Sequence, residues 1–261
     1  MIKALQTAAT GLEAQQNNIT RISNDLANAN TDGYKRTRTE FQELMYHTTK
    51  EPGGSLGAGS QSPVGIQVGT GVKVGAAHKI HEPGPARMTY NPYDLMIDGK
   101  GFFPVQMPNG QVGYTRGGAF HRDAQGRLQL SNGAQLIPQV TIPSNALNVV
   151  VTNAGEIKIS LPNQGEAIAG QIQLVAFPNE EGLSTEGEGI YKPTLASGAP
   201  IQSIPGEGGM GLVQQGAIEG SNVNVANSMV EMISTQRNYE MNAKMLSTAG
   251  QMWKDVTDAK P

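Results

Sequence analysis

The chain of 261 residues is long enough to bury a substantial core as one or two domains. Its 19 basic and 22 acidic residues give a net charge of −3, with no basic run and no interleaving of arginines with aromatics, so the positive footprint of a nucleic-acid binder is absent. Cysteine is absent too, which excludes disulfides, thiolate catalysis and cysteine-held zinc, while 33 glycines and 15 prolines suit many tight turns.

Residues 2–29 carry an apolar seam. Leu5, Leu12, Ile19 and Leu26 recur every seven positions, and Ala8, Ile22 and Ala29 fall three residues after three of them. Gln15 interrupts the second line, and polar residues such as Glu13, Asn17 and Asn24 lie between. This pattern predicts an amphipathic helix of about four heptads. Asn30-Thr31-Asp32-Gly33 then reads as a helix stop, with Gly33 placed for a left-handed backbone. Lys35, Arg36 and Arg38 form the only compact positive patch. It reads as a solvated face or as ion pairs with Glu40 and Glu43, and a charge-complementary contact between subunits is the functional alternative. Residues 34–46 are mixed in pattern and read as extended. EPGGSLGAGSQSPVGIQVGTG (51–71) reads as a linker or a long ordered loop.

From about Val72 to Val213 the pattern is one of short strands separated by turns. Asn109-Gly110, Gln125-Gly126, Asn132-Gly133 and Ala154-Gly155 each sit between a pair of strand-like runs, which predicts hairpins. No amphipathic helix of ten residues intervenes, so the expected body is antiparallel β and not a doubly wound parallel sheet. A second long helix is expected from Asn224 or Asn227 toward Val256. Its stripe is Met229, Met232, Gln236, Tyr239, Ala243, Leu246, Gly250 and Trp253. The expected fold class is therefore mixed α and β, with a discontinuous, coiled-coil-like helical domain flanking an antiparallel β domain. The expected division is a helical core of 1–33 with 222–261, an extended joint of 34–80, and a β-rich body of 81–221. Neither helix is stable alone in water, because burial of the stripe supplies most of its stability. The two could pair with each other, but alanine- and glutamine-rich seams suit dense packing among several helices better.

Catalytic and ligand motifs fail on context. GEGGMG (206–211) matches a dinucleotide-binding pattern, with Glu231 at a suitable distance, but Pro205 interrupts the preceding strand and LVQQGAIEG opens no helix. His47, His78, His81 and His121 form no metal-ligand spacing and read as solvated. The carboxylate pairs Asp94 with Asp98 and Glu180 with Glu181 read as turn and surface residues. There is no nucleophile elbow. No enzyme activity, cofactor or metal is expected. No segment approaches the roughly 20 apolar residues of a membrane-crossing helix, so direct membrane insertion is not expected. The N-terminus also lacks the apolar core of a secretory signal, which taken alone suggests a soluble cytosolic protein.

Two terminal stretches change that reading. ATGLEAQQNNITRISNDLANANTDGYKRTRTEF (9–41) and GAIEGSNVNVANSMVEMISTQRNYEMNAKML (216–246) resemble the end signatures of the bacterial flagellar axial family, which comprises rod and hook proteins. DLMIDGKGFFPV and YTRGGAFHRDAQGRLQLSNG resemble its middle segments, so the likeness covers nearly the whole chain. It implies a structural subunit exported by the flagellar type III apparatus without a cleaved signal peptide. Such subunits polymerise as a homo-oligomeric helical filament, with the terminal helices innermost and the β domain outside. The chain length, the Gly/Ser-rich stretch and the wording VQQGAIEGSNVNV point to the distal rod, which transmits torque across the periplasm. Proximal rod and hook subunits are the alternatives within the family, and an adaptor module with paired terminal helices is the alternative outside it. The implied partners are proximal rod proteins, the hook protein and the P-ring and L-ring proteins. The implied assembly seam is Leu5, Leu12, Ile19, Leu26, Met232, Tyr239, Leu246 and Trp253. Asn28, Gly33, Tyr34 and Lys35 match the family's turn after the first helix, and residues 46–71 are implied to brace adjacent subunits. Asn17, Asn18, Asn24, Asn28 and Asn30 are costly to bury without hydrogen bonds, which neighbouring subunits would supply. Asn222, Asn224 and Asn227 stand where a helix start requires capping or turn bonds.

Overall fold

The computed structural model describes residues 2–51, 64–162 and 165–258. The chain forms two compact units. One comprises Met1–Leu26, Thr37–His78 and Val225–Pro261, and the other Ala27–Arg36 and Lys79–Asn224. The turn after the first helix thus belongs to the β-rich unit, and most of the expected joint lies with the helices.

In the helical unit, α1 (Ile2–Ala27) and α2 (Val225–Asp258) occupy the segments where the heptad patterns lie. Both are free of proline, and α1 is rich in alanine and other good helix formers. Thr37–Glu43 pairs with Val72–Lys79. His47–Lys50 and Ile66–Val68 form an antiparallel pair in which His47 faces Val68. Residues 52–63 of the expected bracing stretch lie outside the described residues.

The β unit is built from antiparallel hairpins. Its largest sheet has seven strands in the order Ser184–Gly187, Ile190–Lys192, Val112–Thr115, Phe103–Gln106, Gln135–Leu136, Leu128–Gln129 and His121–Arg122. A three-stranded sheet runs Asn148–Val151, Glu156–Leu161, Gly165–Gln171. Two-stranded ladders join Leu95–Asp98 to Leu212–Gln215 and Ala86–Met88 to Ala217–Glu219. Strand alternation sends the adjacent Phe102 and Phe103 into different cores. Phe103 joins Leu95, Ile97, Phe120, Leu136, Ile157 and Val213, while Phe102 joins Tyr114, Val175, Phe177 and Tyr191. Among the described residues, the only helical turn inside this unit is Glu180–Gly182, which agrees with the expected absence of crossover helices. GEGGMG forms no phosphate loop. It lies in the connection between Ile201–Ser203 and Leu212–Gln215.

All four predicted turns close in the same way. In each, a glycine N–H bonds to the carbonyl three residues earlier, as from Gly110 to Met107 at 2.9 Å and from Gly126 to Asp123 at 3.0 Å. The two glycines share a left-handed φ, +83° and +84°, but their surroundings differ. A Cβ on Gly110 would meet nothing within 4 Å, whereas one on Gly126 would lie 2.2 Å from the Ile142 carbonyl oxygen. Gly110→Ala should therefore cost about 1 kcal/mol, the left-handed penalty alone. Gly126→Ala should cost more, because the 2.7 Å bond from Ile142 N–H to the Gly126 carbonyl must also shift. Urea midpoints of the two variants check this, and equal losses would contradict it.

Candidate assembly site

The two long helices meet through polar side chains. Asn18 Nδ2 donates to Thr235 Oγ1 at 3.2 Å, and Arg21 forms an ion pair with Glu231. A Cβ on Gly11 would come within 3.1 Å of Asn242 Nδ2. Residues 11, 18 and 21 thus match 242, 235 and 231 in descending order, so the helices run antiparallel. Arg21 also ties α1 to the strand that follows. It bonds Asp25 at 3.1 Å and the Thr37 carbonyl at 3.0 Å, and Asp25 accepts from Thr37 N–H at 3.1 Å.

The apolar seam is only partly covered. Leu5, Leu12, Ile19, Leu26, Met232 and Leu246 are half-buried, while Tyr239 and Trp253 remain 38% and 45% exposed. Among the described residues of the two helices, the fully buried positions are small or polar, namely Ala8, Ala14, Asp25 and Thr235, with Ile22 the large exception. On α2 the covered line runs through Met232, Thr235, Asn242, Leu246 and Ala249. The predicted companions Met229 and Gln236 are exposed, whereas Ala243 and Gly250 are half-buried. The away-facing side carries Val230, Ile233 and Met241, 69%, 51% and 58% exposed, around a shallow groove of about 310 Å³. A second cavity, of about 550 Å³, opens among Thr7, Ala8, Val68, Met245 and Ala249.

The turn residues are organised around a buried carboxylate. Lys35 lies fully buried and not on a solvated patch. Its Nζ donates to Glu219 Oε1 at 2.5 Å and to the Glu82 carbonyl at 2.6 Å. This pairing replaces the expected one with Glu40 or Glu43. Arg36 pairs instead with Glu82 at 3.3 Å on the surface, an interaction worth little. Arg116, also buried, reaches Glu219 Oε2 at 3.4 Å and the Gly99 carbonyl at 2.7 Å. Gly84 N–H adds a 2.8 Å bond to Glu219 Oε1. Burial pushes the Lys35 pKa down, and the adjacent Glu219 charge opposes that shift.

Gly33 has the left-handed φ anticipated, +69°, and donates to the Glu219 carbonyl at 2.7 Å. A Cβ there would lie 2.7 Å from Gly117 N, so only glycine fits. Asn28 accepts from Thr31 N–H at 3.1 Å through its backbone carbonyl. The Tyr34 ring sits 4.0 Å beneath Lys79 Nζ. Asn222 accepts from Arg36 N–H at 2.7 Å and donates to the Ile80 carbonyl at 2.9 Å.

Glu219, Arg116, Arg21 and Asp25 carry no motif that singles them out in the sequence. A signal for one of them exists, since Glu219 sits in a strand beside Ala217 and Ile218 with all three buried. An acidic residue hemmed in by apolar neighbours requires a cationic partner. Among the described residues, no group of three or more His, Asp or Glu side chains could hold a metal, and no helix is long and apolar enough to cross a membrane.

Three known families match separate segments of the chain. Residues 5–35 match the flagella basal body rod protein family, 96–159 the flagellar hook protein FlgE/F/G D1 domain, and 214–259 the flagellar basal body rod FlgEFG C-terminal family. The chain is 44% identical over 253 residues to the flagellar basal-body rod protein FlgG of Buchnera aphidicola subsp. Acyrthosiphon pisum, covering 97% of both chains. The chain belongs to the FlgG family of flagellar basal-body rod proteins. FlgG of Caulobacter vibrioides is 43% identical over 96% of this chain and 97% of its own, and FlgG of Bacillus subtilis is 30% identical across both full lengths. The FlgG family is structural and not enzymatic, in keeping with the failed catalytic motifs. The rod family's match at 5–35 covers α1 from Leu5 onward and ends on Lys35, and the C-terminal match spans Glu219 and α2.

One histidine departs from the solvated reading. His81 lies edge-on to Phe102 and Tyr191, with ring centroids 5.4 and 5.2 Å away. Burial, then the positive Lys35, Arg116 and Lys79, push its pKa down to about 3. The unfolded chain therefore binds the extra proton first, and stability falls as pH drops from about 6.5 toward 3. His81 should contribute a slope of at most about 1.4 kcal/mol per pH unit in that window. His81→Phe should flatten the dependence of the urea midpoint between pH 6.5 and 5. An unchanged slope would mean that His81 titrates normally.

Proposed function

We propose that this protein is a subunit of the distal rod, assembling with copies of itself into a rigid helical tube that transmits torque from the motor to the hook. The observation that carries the reading is the incompletely covered seam. Tyr239 and Trp253 are exposed along the expected stripe, and Val230, Ile233 and Met241 are exposed on the away-facing side of the same helix, which meets its partner in part through Asn18 and Arg21. Helices of this kind gain stability by burying their stripes on further helices. Two different exposed faces also favour head-to-tail contacts, which generate filaments when the rotation does not close. In this reading Leu5, Leu12, Ile19, Leu26, Met232, Tyr239, Leu246 and Trp253 line the subunit and helix interfaces, while Asn28, Gly33, Tyr34 and Lys35 fix the joint. The partners would be proximal rod proteins, the hook protein and the P-ring and L-ring proteins, after export through the type III apparatus without a cleaved signal. A place in the proximal rod or the hook is the neighbouring reading.

Cryo-electron microscopy of basal bodies from the native cell and from a strain lacking the gene separates these. A missing shaft within the outer rings, with a proximal stub left, is expected. A complete rod with no hook would move the protein one segment outward, and intact basal bodies would overturn the axial role. Removing residues 1–26 should also abolish incorporation while leaving the β-sheet circular dichroism of the full chain intact. A truncated protein that lost its β signal would contradict the independence of the β unit.

A further inference from the structure

The β unit contains three chain passages that lead to or from the helical unit: residues 33–36, 79–84 and 217–222. They come from distant regions of the sequence, and polar groups join them. Glu219 bonds Lys35 of the first passage and Gly84 of the second, and its carbonyl accepts from Gly33. Asn222 bonds Arg36 and Ile80, and Ile80 N–H bonds the Arg36 carbonyl at 3.0 Å. Arg116 anchors Glu219 to the body of the unit through the Ile97 and Gly99 carbonyls.

This is a costly way to fill a core. Lys35, Glu219 and Arg116 side chains are 0%, 0% and 1% exposed, and desolvating three charges offsets much of their attraction. Apolar residues would fill the same space with less penalty, but burial of apolar surface is non-directional. Charge-assisted hydrogen bonds form only at short range and in defined directions. These bonds form together only when all three passages stand in one register.

We propose that Glu219, gripped by Lys35 and Arg116, acts with Asn222 as a clasp that makes the three passages one cooperative body within the β unit. The clasp does not depend on the assembly reading, because it operates inside a single chain. Breaking it frees all three passages together and leaves the hairpin core closed.

Native-state hydrogen exchange on the dilute full-length chain tests this with Lys35→Met, which keeps the side-chain length and leaves Glu219 its Arg116 and Gly84 partners. Amides in 28–36, 80–86 and 217–223 should exchange at least tenfold faster by a shared factor. Those in 103–106 and 157–161 should keep their wild-type rates. Faster exchange confined to 33–36 would overturn the clasp, and so would unchanged rates in all three segments or uniform loss throughout the β unit. Should Lys35→Met fail to fold, Asn222→Ala removes the second bridge without baring a charge and is judged by the same pattern.

Discussion

Two helices formed from opposite ends of the chain must bury apolar stripes that neither can bury alone, and this constraint governs the rest of the molecule. They meet in part through polar side chains. Asn18 with Thr235 and Arg21 with Glu231 set an antiparallel register, and Gly11 allows Asn242 a close approach. Such contacts fix alignment better than they supply stability, since exposed ion pairs are worth at most about 1 kcal/mol. Apart from the buried Ile22, the large apolar residues described along both helices stay half-buried or exposed. A helix pair built this way is aligned and still has surface to offer.

The β unit solves the opposite problem. Its hairpins close locally, each needing only its own turn, and alternation along the strands feeds two separate apolar cores. Among the described residues, neither helix contributes a member to these two cores. What it takes from the ends of the chain is the turn at 28–36 and the strand at 217–219, and these it holds with buried charge. The family matches follow the same division, with the terminal families on the helices and their adjoining turn and strand, and the D1 family on the hairpins.

Much of this is legible in the sequence because it is local. Heptad spacing locates both helices, and Asn-Gly and related pairs locate the four hairpins, since both signals act within a few residues. The phase of the second helix is harder to read. Two lines compete beside Met232 and Leu246: Gln236, Ala243 and Gly250 on one side, Thr235, Asn242 and Ala249 on the other. All are small or polar, so hydropathy cannot choose, whereas the contacts from Asn18 and Gly11 place the covered face on the second line. Lys35 misleads for a related reason. Its nearest glutamates in sequence are Glu40 and Glu43, but its partner is 184 positions away, and only the fold brings Glu219 to it. His81 likewise carries no sequence sign that two aromatic rings enclose it.

The absence of cysteine allows the central claim, that the exposed apolar faces of the terminal helices are buried by neighbouring copies, to be tested directly. A single cysteine replacing Ile233 or Tyr239 gives the only thiol in the chain. Its rate of reaction with a water-soluble maleimide would be compared in the dilute monomer and in purified basal bodies. Fast labelling of the monomer and strong protection in the basal body are predicted at both positions. Equal labelling in the two states would mean that the helices remain uncovered after assembly, and the account of their unfinished seam would be wrong.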